Sequence, residues 1–207
     1  MQKENMTQLN KQNMYGLKVS TPYYLDQMPK KILHNVFGDV VLIESGVYEL
    51  HCTSDTYVSH NIVNGLMHIT CISDADDIKI NIKANGKVDN DIVSDVYHNI
   101  IANNKNVMSK IEARAAAYDN SKIIYRSSLG ASVGAGGAGT QKAHFLILSN
   151  TAEIDAEPSL DIASNTFPTS HAIGVSGVDK NKIWYLATHG YDIINGEQEI
   201  VEGFLGN

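Results

Sequence analysis

Residues 78–83, Ile78-Lys79-Ile80-Asn81-Ile82-Lys83, alternate strictly between apolar and polar positions. In an extended chain that alternation sends the three isoleucines to one face and the polar side chains to the other, so a half-buried β-strand is predicted there. Short strand-like segments recur from about residue 32 to 178: 40–43, 47–50, 66–72, 96–102, 107–117, 121–127, 143–148, 152–156 and 159–163. Turn-forming residues separate them, at Asn85-Gly86, Asn103-Asn104, Asp119-Asn120, Ser149-Asn150 and Ser164-Asn165, and Glu44-Ser45-Gly46 reads as a tight turn.

Many strands at spacings of about 8–12 residues point to an all-β sandwich, barrel or solenoid. Two features favour the solenoid. Few strand pairs are joined by the two-residue glycine loops that hairpins prefer. Small residues (Ala113, Ala115, Ala116, Ala117) also sit inside a strand-like stretch, as close stacking of coils would require. The same alanines have high helix propensity, and periodicity leaves 105–118 open between strand and helix.

The pattern changes at both ends. Ile183-Trp184-Tyr185-Leu186 follows a polar run and closes at Gly190, which suggests a short helix with a glycine stop. A second helix is predicted from Asn195 or Gly196 through Ile200, Val201 and Phe204. Two such helices cannot bury their own faces, so they should pack on the β body or on a partner. Residues 1–30 are polar, with a loose Met6, Leu9, Met14 stripe, and read as an arm before a 31–178 core and a 179–207 helical segment.

Composition narrows the function classes. The formal charge is −7, and Lys30-Lys31 is the only adjacent basic pair, which argues against nucleic-acid binding. No apolar leader and no membrane-length run occur, so a cytoplasmic chain without a membrane partner is expected. Cys52 and Cys71 are too few for a disulfide framework and are expected as buried thiols. His51 with Cys52 and His68 with Cys71 form two nitrogen–sulfur pairs that could hold zinc or iron if the fold joined them. Gly134 to Gly139 fits the dinucleotide fingerprint by count, but the following Gln141–Leu146 reads as strand, so a turn between coils is expected and no nucleotide. Glu153, Asp155 and Glu157 alternate along one strand face and offer either a solvated surface or a hard-cation site.

An ordered series of motifs lies between His98 and Leu205. It comprises Ser121-Lys122-Ile123-Ile124-Tyr125-Arg126, Leu146-Ile147-Leu148-Ser149 with Ala152–Ile162, Ser170-His171-Ala172, Ile183–Gly190, and Ile200-Val201-Glu202-Gly203-Phe204-Leu205. In this order and spacing they resemble the C-terminal half of SufB/SufD proteins. The resemblance implies a right-handed parallel β-helix (solenoid) with a short C-terminal helical segment. It also implies pairing through the β-helix, docking of a SufC-like ATPase on the helical end, and a role in iron–sulfur cluster assembly. Where scaffold members carry a cysteine this chain has Ala152, where SufD-type members often do it has Thr169, and His189 stands for the usual arginine.

The expected function is a non-catalytic SufD-like subunit, paired with itself or with a SufB-like partner. His171, matching the family's interface histidine, would be a ligand to transient iron or an iron–sulfur cluster. His189, at the end of the first terminal helix, is a secondary candidate for metal or catalytic use. Two alternatives stay open: a stand-alone interaction protein of the same fold, and a polysaccharide-acting β-helix enzyme using Asp155, Asp161 or Glu157.

Overall fold

The computed structural model describes residues 29–206. Ten strands wind into a parallel solenoid: β1 (Lys30–Leu42), β2 (Gly46–Asn61), β3 (Gly65–Ser73), β4 (Lys79–Val88), β5 (Val93–Ala102), β6 (Val107–Ala117), β7 (Lys122–Ala131), β8 (Gly137–Ile147), β9 (Glu153–Ile162) and β10 (Thr169–Ser176). The ladder runs β10-β8-β6-β4-β2-β3-β5-β7-β9, with β1 on β2. The early part of β2 pairs with β3 and its later part with β4, so it bends around the solenoid and feeds both faces. One face then carries β4, β6, β8 and β10, the other β3, β5, β7 and β9.

Register partners on one face stand at Val40, Val58, Ile82, Ile111, Gln141 and His171, so successive coils take 18, 24, 29, 30 and 30 residues. The coil lengthens and then settles near 30. Because every ladder is parallel, side chains one coil apart share a face, and the period-2 pattern repeats upward as columns. Strands buried inside but solvated outside therefore keep clean alternation, as in Lys122–Ala131, where every second residue is buried.

The ambiguity at 105–118 resolves to strand. β6 is laddered on both sides, by β4 and β8, and these bonds outweigh helix propensity. Its alanines are small because each meets something bulky. Ala113 and Ala115 face the interior with Tyr125 and Phe145, while Ala116 lies on the outer face beneath Val201 and Leu205.

Three sequence expectations need correction. Asn85-Gly86 is not a turn but lies within β4, where a Cβ on Gly86 would come 2.0 Å from the Ile62 carbonyl oxygen. The segment read as 152–156 and 159–163 is the single strand β9. Pro158 is tolerated there because β9 is an edge strand, laddered only to β7. The run from Gly134 to Gly139 is only half a turn: Gly137 opens β8 with φ 136°, and a Cβ there would lie 1.9 Å from the Val107 carbonyl oxygen.

The turns stack as well. Asp77, Asn106 and Asp119 hold positive φ, a region Asn and Asp visit more readily than most residues, and Asn106 Nδ2 donates to Asp77 Oδ1 at 2.8 Å.

Helices α1 (Lys180–Thr188) and α2 (Ile193–Leu205) follow. Gly190, with φ 94°, ends the first as expected. The second starts earlier than Asn195, because the Asp192 carboxylate accepts from the Asn195 backbone N–H at 2.8 Å and caps it. Val201 and Leu205 bury against Ala116 and Leu146, which seats α2 on the β6–β8 face. Among the described residues no helix is long and apolar enough to cross a membrane. The arm expected over residues 1–30 lies outside the described residues except for its last two.

Gly86→Ala forces the Ile62 turn aside and should cost about 1–3 kcal/mol or more. Gly203→Ala, in open space within α2, should instead stabilise by about 0.4–1 kcal/mol. Urea unfolding of the two variants beside the wild type checks the contrast.

Candidate functional site

His171 lies on β10 in register with Gln141, whose side chain is buried inside the solenoid. Parallel partners share a face, so His171 occupies the next rung of the same interior column. No further coil covers that rung among the described residues, and His171 is exposed. The residues around it have the same character: Leu160 on β9 and Val175 on β10 share the phase of interior columns yet are 39% and 44% exposed. The C-terminal end of the solenoid is thus open, apolar and bounded by two unladdered strand edges, with an imidazole in its floor.

Below that end the interior is not uniformly apolar. Gln141 accepts from the Ser127 hydroxyl at 3.1 Å and donates through Nε2 to the Ser159 carbonyl at 2.8 Å. Deeper still, His60, His98 and Tyr125 form a buried chain. His60 Nδ1 is 3.1 Å from the Asn61 carbonyl oxygen, which can only accept, so Nδ1 carries the proton. The neutral ring then has a lone pair on Nε2, which accepts from His98 Nε2–H at 2.6 Å. That leaves His98 Nδ1 to accept from the Tyr125 hydroxyl at 3.3 Å. One ordering of protons satisfies all three side chains, and it requires both imidazoles to be neutral. Burial holds His60 below its usual range. Burial, reinforced by His60 and His68, holds His98 well below it.

The sequence offered a signal for this chain that periodicity alone did not decode. His98 keeps the phase of buried Val96 and Ile100, and His60 that of Val58. Only the coil length shows that they meet across the interior.

The two nitrogen–sulfur pairs do not form. Adjacent residues on a strand point oppositely, so Cys52 faces the core while His51 faces outward, bonded to Asp74 at 2.9 Å and Glu49 at 3.3 Å. Residues 68 and 71 differ by an odd number, and His68 likewise leaves Cys71 for the outer face, where it meets Asp95 at 2.9 Å. Both cysteines are fully buried among apolar residues, as expected. The hydrogen bond with Cys52, together with burial, pushes the Cys71 thiol well up and keeps it protonated.

Glu153, Asp155 and Glu157 share the outer face of β9, as their alternation implies. Lys122 meets Glu153 at 2.7 Å, and Arg126 holds Asp155 at 2.7 Å and Glu157 at 3.3 Å. They form an ion-paired surface rather than a convergent carboxylate set. Asp161 lies apart in a 480 Å³ outer groove with Tyr97, Asn99 and Ser128. His189 is the C-cap of α1, its Nδ1 2.9 Å from the Tyr185 carbonyl. Among the described residues no three or more His, Cys, Asp and Glu side chains converge as a metal site.

These features define a parallel β-solenoid whose interior is polar at its heart and whose C-terminal end is unfinished. The family model for the SUF system FeS cluster assembly, SufBD core domain, matches residues 50–204. The chain belongs to that family, and its role is in iron–sulfur cluster assembly. No curated protein matches it.

Acid should expose the buried pair. The folded values of His60 and His98 lie below the unfolded value, so beneath about pH 6.5 the unfolded chain binds more protons. Their contribution to stability is complete above that pH and is lost as pH falls. His51 has the opposite sign: burial alone would lower it, but its bonds to Asp74 and Glu49 raise it, so its contribution weakens towards high pH. The urea midpoint should therefore drop between about pH 7.5 and about pH 5.5, and the double variant His60→Leu/His98→Leu should lose part of that drop. An equal drop in both proteins would mean that the pair carries none of it.

Proposed function

We propose that this chain is a non-catalytic, SufD-like subunit of cytoplasmic iron–sulfur cluster assembly, pairing through the open end of its solenoid and offering His171 as one ligand to transient iron or a nascent cluster. The observation that carries the reading is the position of His171 on the last interior rung, exposed between two free strand edges. An apolar floor containing Leu160 and Val175 favours a partner over water. A second copy, or a SufB-like chain with the same open end, continues the coils and covers that floor. With one imidazole and no thiol at the open end, this chain supplies a single ligand, and the partner completes the set. Iron or the cluster is cargo in this scheme.

The helical end supports a separate contact. No residue of α1 is buried, and Trp184, Tyr185, Ile193 and Ile194 are each more than 60% exposed. An apolar surface of that kind suits docking of a SufC-like ATPase, whose nucleotide chemistry this chain would not share.

A second reading has its own observation. Both cysteines lie buried in the N-terminal coils, far along the ladder from β10, so the chain could act as an interaction subunit that kept the fold without cluster chemistry.

Anaerobic reconstitution with ferrous iron and sulfide, followed by size-exclusion chromatography, separates the readings. The proposal expects iron retained on a dimer, lost in His171→Ala while the dimer persists, and a monomer in Leu160→Lys. A colourless wild-type dimer would favour the second reading. A colourless monomer would overturn pairing as well.

A further inference from the structure

Although the chain is acidic overall, the outer face of β4, β6 and β8 is basic. Lys79, Lys83, Lys110, Arg114 and Lys142 all project from it into solvent, and Glu112, paired with Lys110 at 3.0 Å, is the one carboxylate these three strands place among them. Two of these cations converge on a cavity of about 510 Å³ at the edge nearest β10.

The cavity is built by the coil repeat. Lys142 stands in register with Glu112 below and Ala172 above, and His144 with Arg114 below and Gly174 above. On the last rung the outward positions are thus a methyl group and a hydrogen, which leaves space over the cationic rows. Two of the three polar groups are held in place. Arg114 donates from Nη1 to the Phe204 carbonyl at 2.9 Å and lies over that ring, 5.9 Å from its centroid. His144 meets the same ring edge-on at 5.1 Å and shares a hydrogen bond with Ser176 Oγ at 3.1 Å. The rest of the Arg114 guanidinium makes no further hydrogen bond, and Lys142 no ion pair, among the described residues.

We infer that this cavity binds the phosphate group of a small molecule, its oxygens taken by the Arg114 guanidinium, the Lys142 ammonium and the His144 imidazole. A lone carboxylate would be satisfied by the guanidinium fork alone. Donors arriving from two adjacent rungs and from both sides of Phe204 suit a tetrahedral dianion with several oxygens to share. A volume of this size accommodates a small molecule and not a macromolecular groove. Two of the donors are pre-ordered by Phe204, which reduces the entropy lost on binding.

The test is calorimetric titration of the full chain with inorganic pyrophosphate. A single saturable site is expected, weakened at least about tenfold in Arg114→Gln and in Lys142→Gln, since each removes a charge-assisted bond. Lys79→Gln, on the same face but outside the cavity, should leave it unchanged. Lys142→Gln breaks no contact within the fold, so its loss of binding cannot be ascribed to loosening of α2. Absence of a saturable site, or equal weakening by Lys79→Gln, would overturn the inference. So would co-sedimentation with phosphatidic acid vesicles without any pyrophosphate site, which would place the phosphate on a lipid surface.

Discussion

The parallel ladder is the constraint on which everything else rests. Once the coil settles near 30 residues, each side chain is stacked above the one a coil earlier, and its environment is inherited from that column. Gly86 and Gly137 mark where the backbone of one coil is pressed against its neighbour, and no Cβ fits at either point. The same inheritance puts His171 on top of the Gln141 column and gives it an interior orientation at a place with nothing above it.

The interior histidines show how the ladder tolerates polarity. Two imidazoles and a phenol inside an apolar solenoid would be costly if any donor or acceptor were left alone. Here one proton ordering satisfies all three, and it joins β2, β5 and β7 across the interior. A one-residue slip of β5 would turn His98 outward and leave Tyr125 and His60 without it, so the chain favours the observed register. Polar interior, basic outer face and open apolar end then have distinct roles: the first holds the coils in register, the second gathers anions, and the third calls for a partner.

Much of this architecture could be read from the residues. The alternation at 78–83, the solenoid spacing and the two terminal helices all appear in the structure, and the motifs from Ser121 to Leu205 fall within the family match. What escaped has a common physical cause. Alternation tells which residues share a face of one strand, but not which residue of another coil lies beside them. Lys83, Arg114 and Lys142 are scattered in the chain and look like ordinary surface charges, yet they become neighbours when coils of about 30 residues are stacked. His60 and His98 are likewise 38 residues apart and meet only through the fold. Asn85-Gly86 misled for a different reason: its glycine serves close approach within a strand, which mimics a turn signal.

The central claim is that two solenoids meet at their open ends with position 171 in the interface. It can be examined directly by spin-labelling a His171→Cys variant, since Cys52 and Cys71 are fully buried and leave the new thiol as the accessible one among the described residues. Pulsed dipolar spectroscopy of the purified chain should give one narrow, short inter-label distance. A label without dipolar coupling, or a broad distribution of long distances, would contradict pairing at the open end.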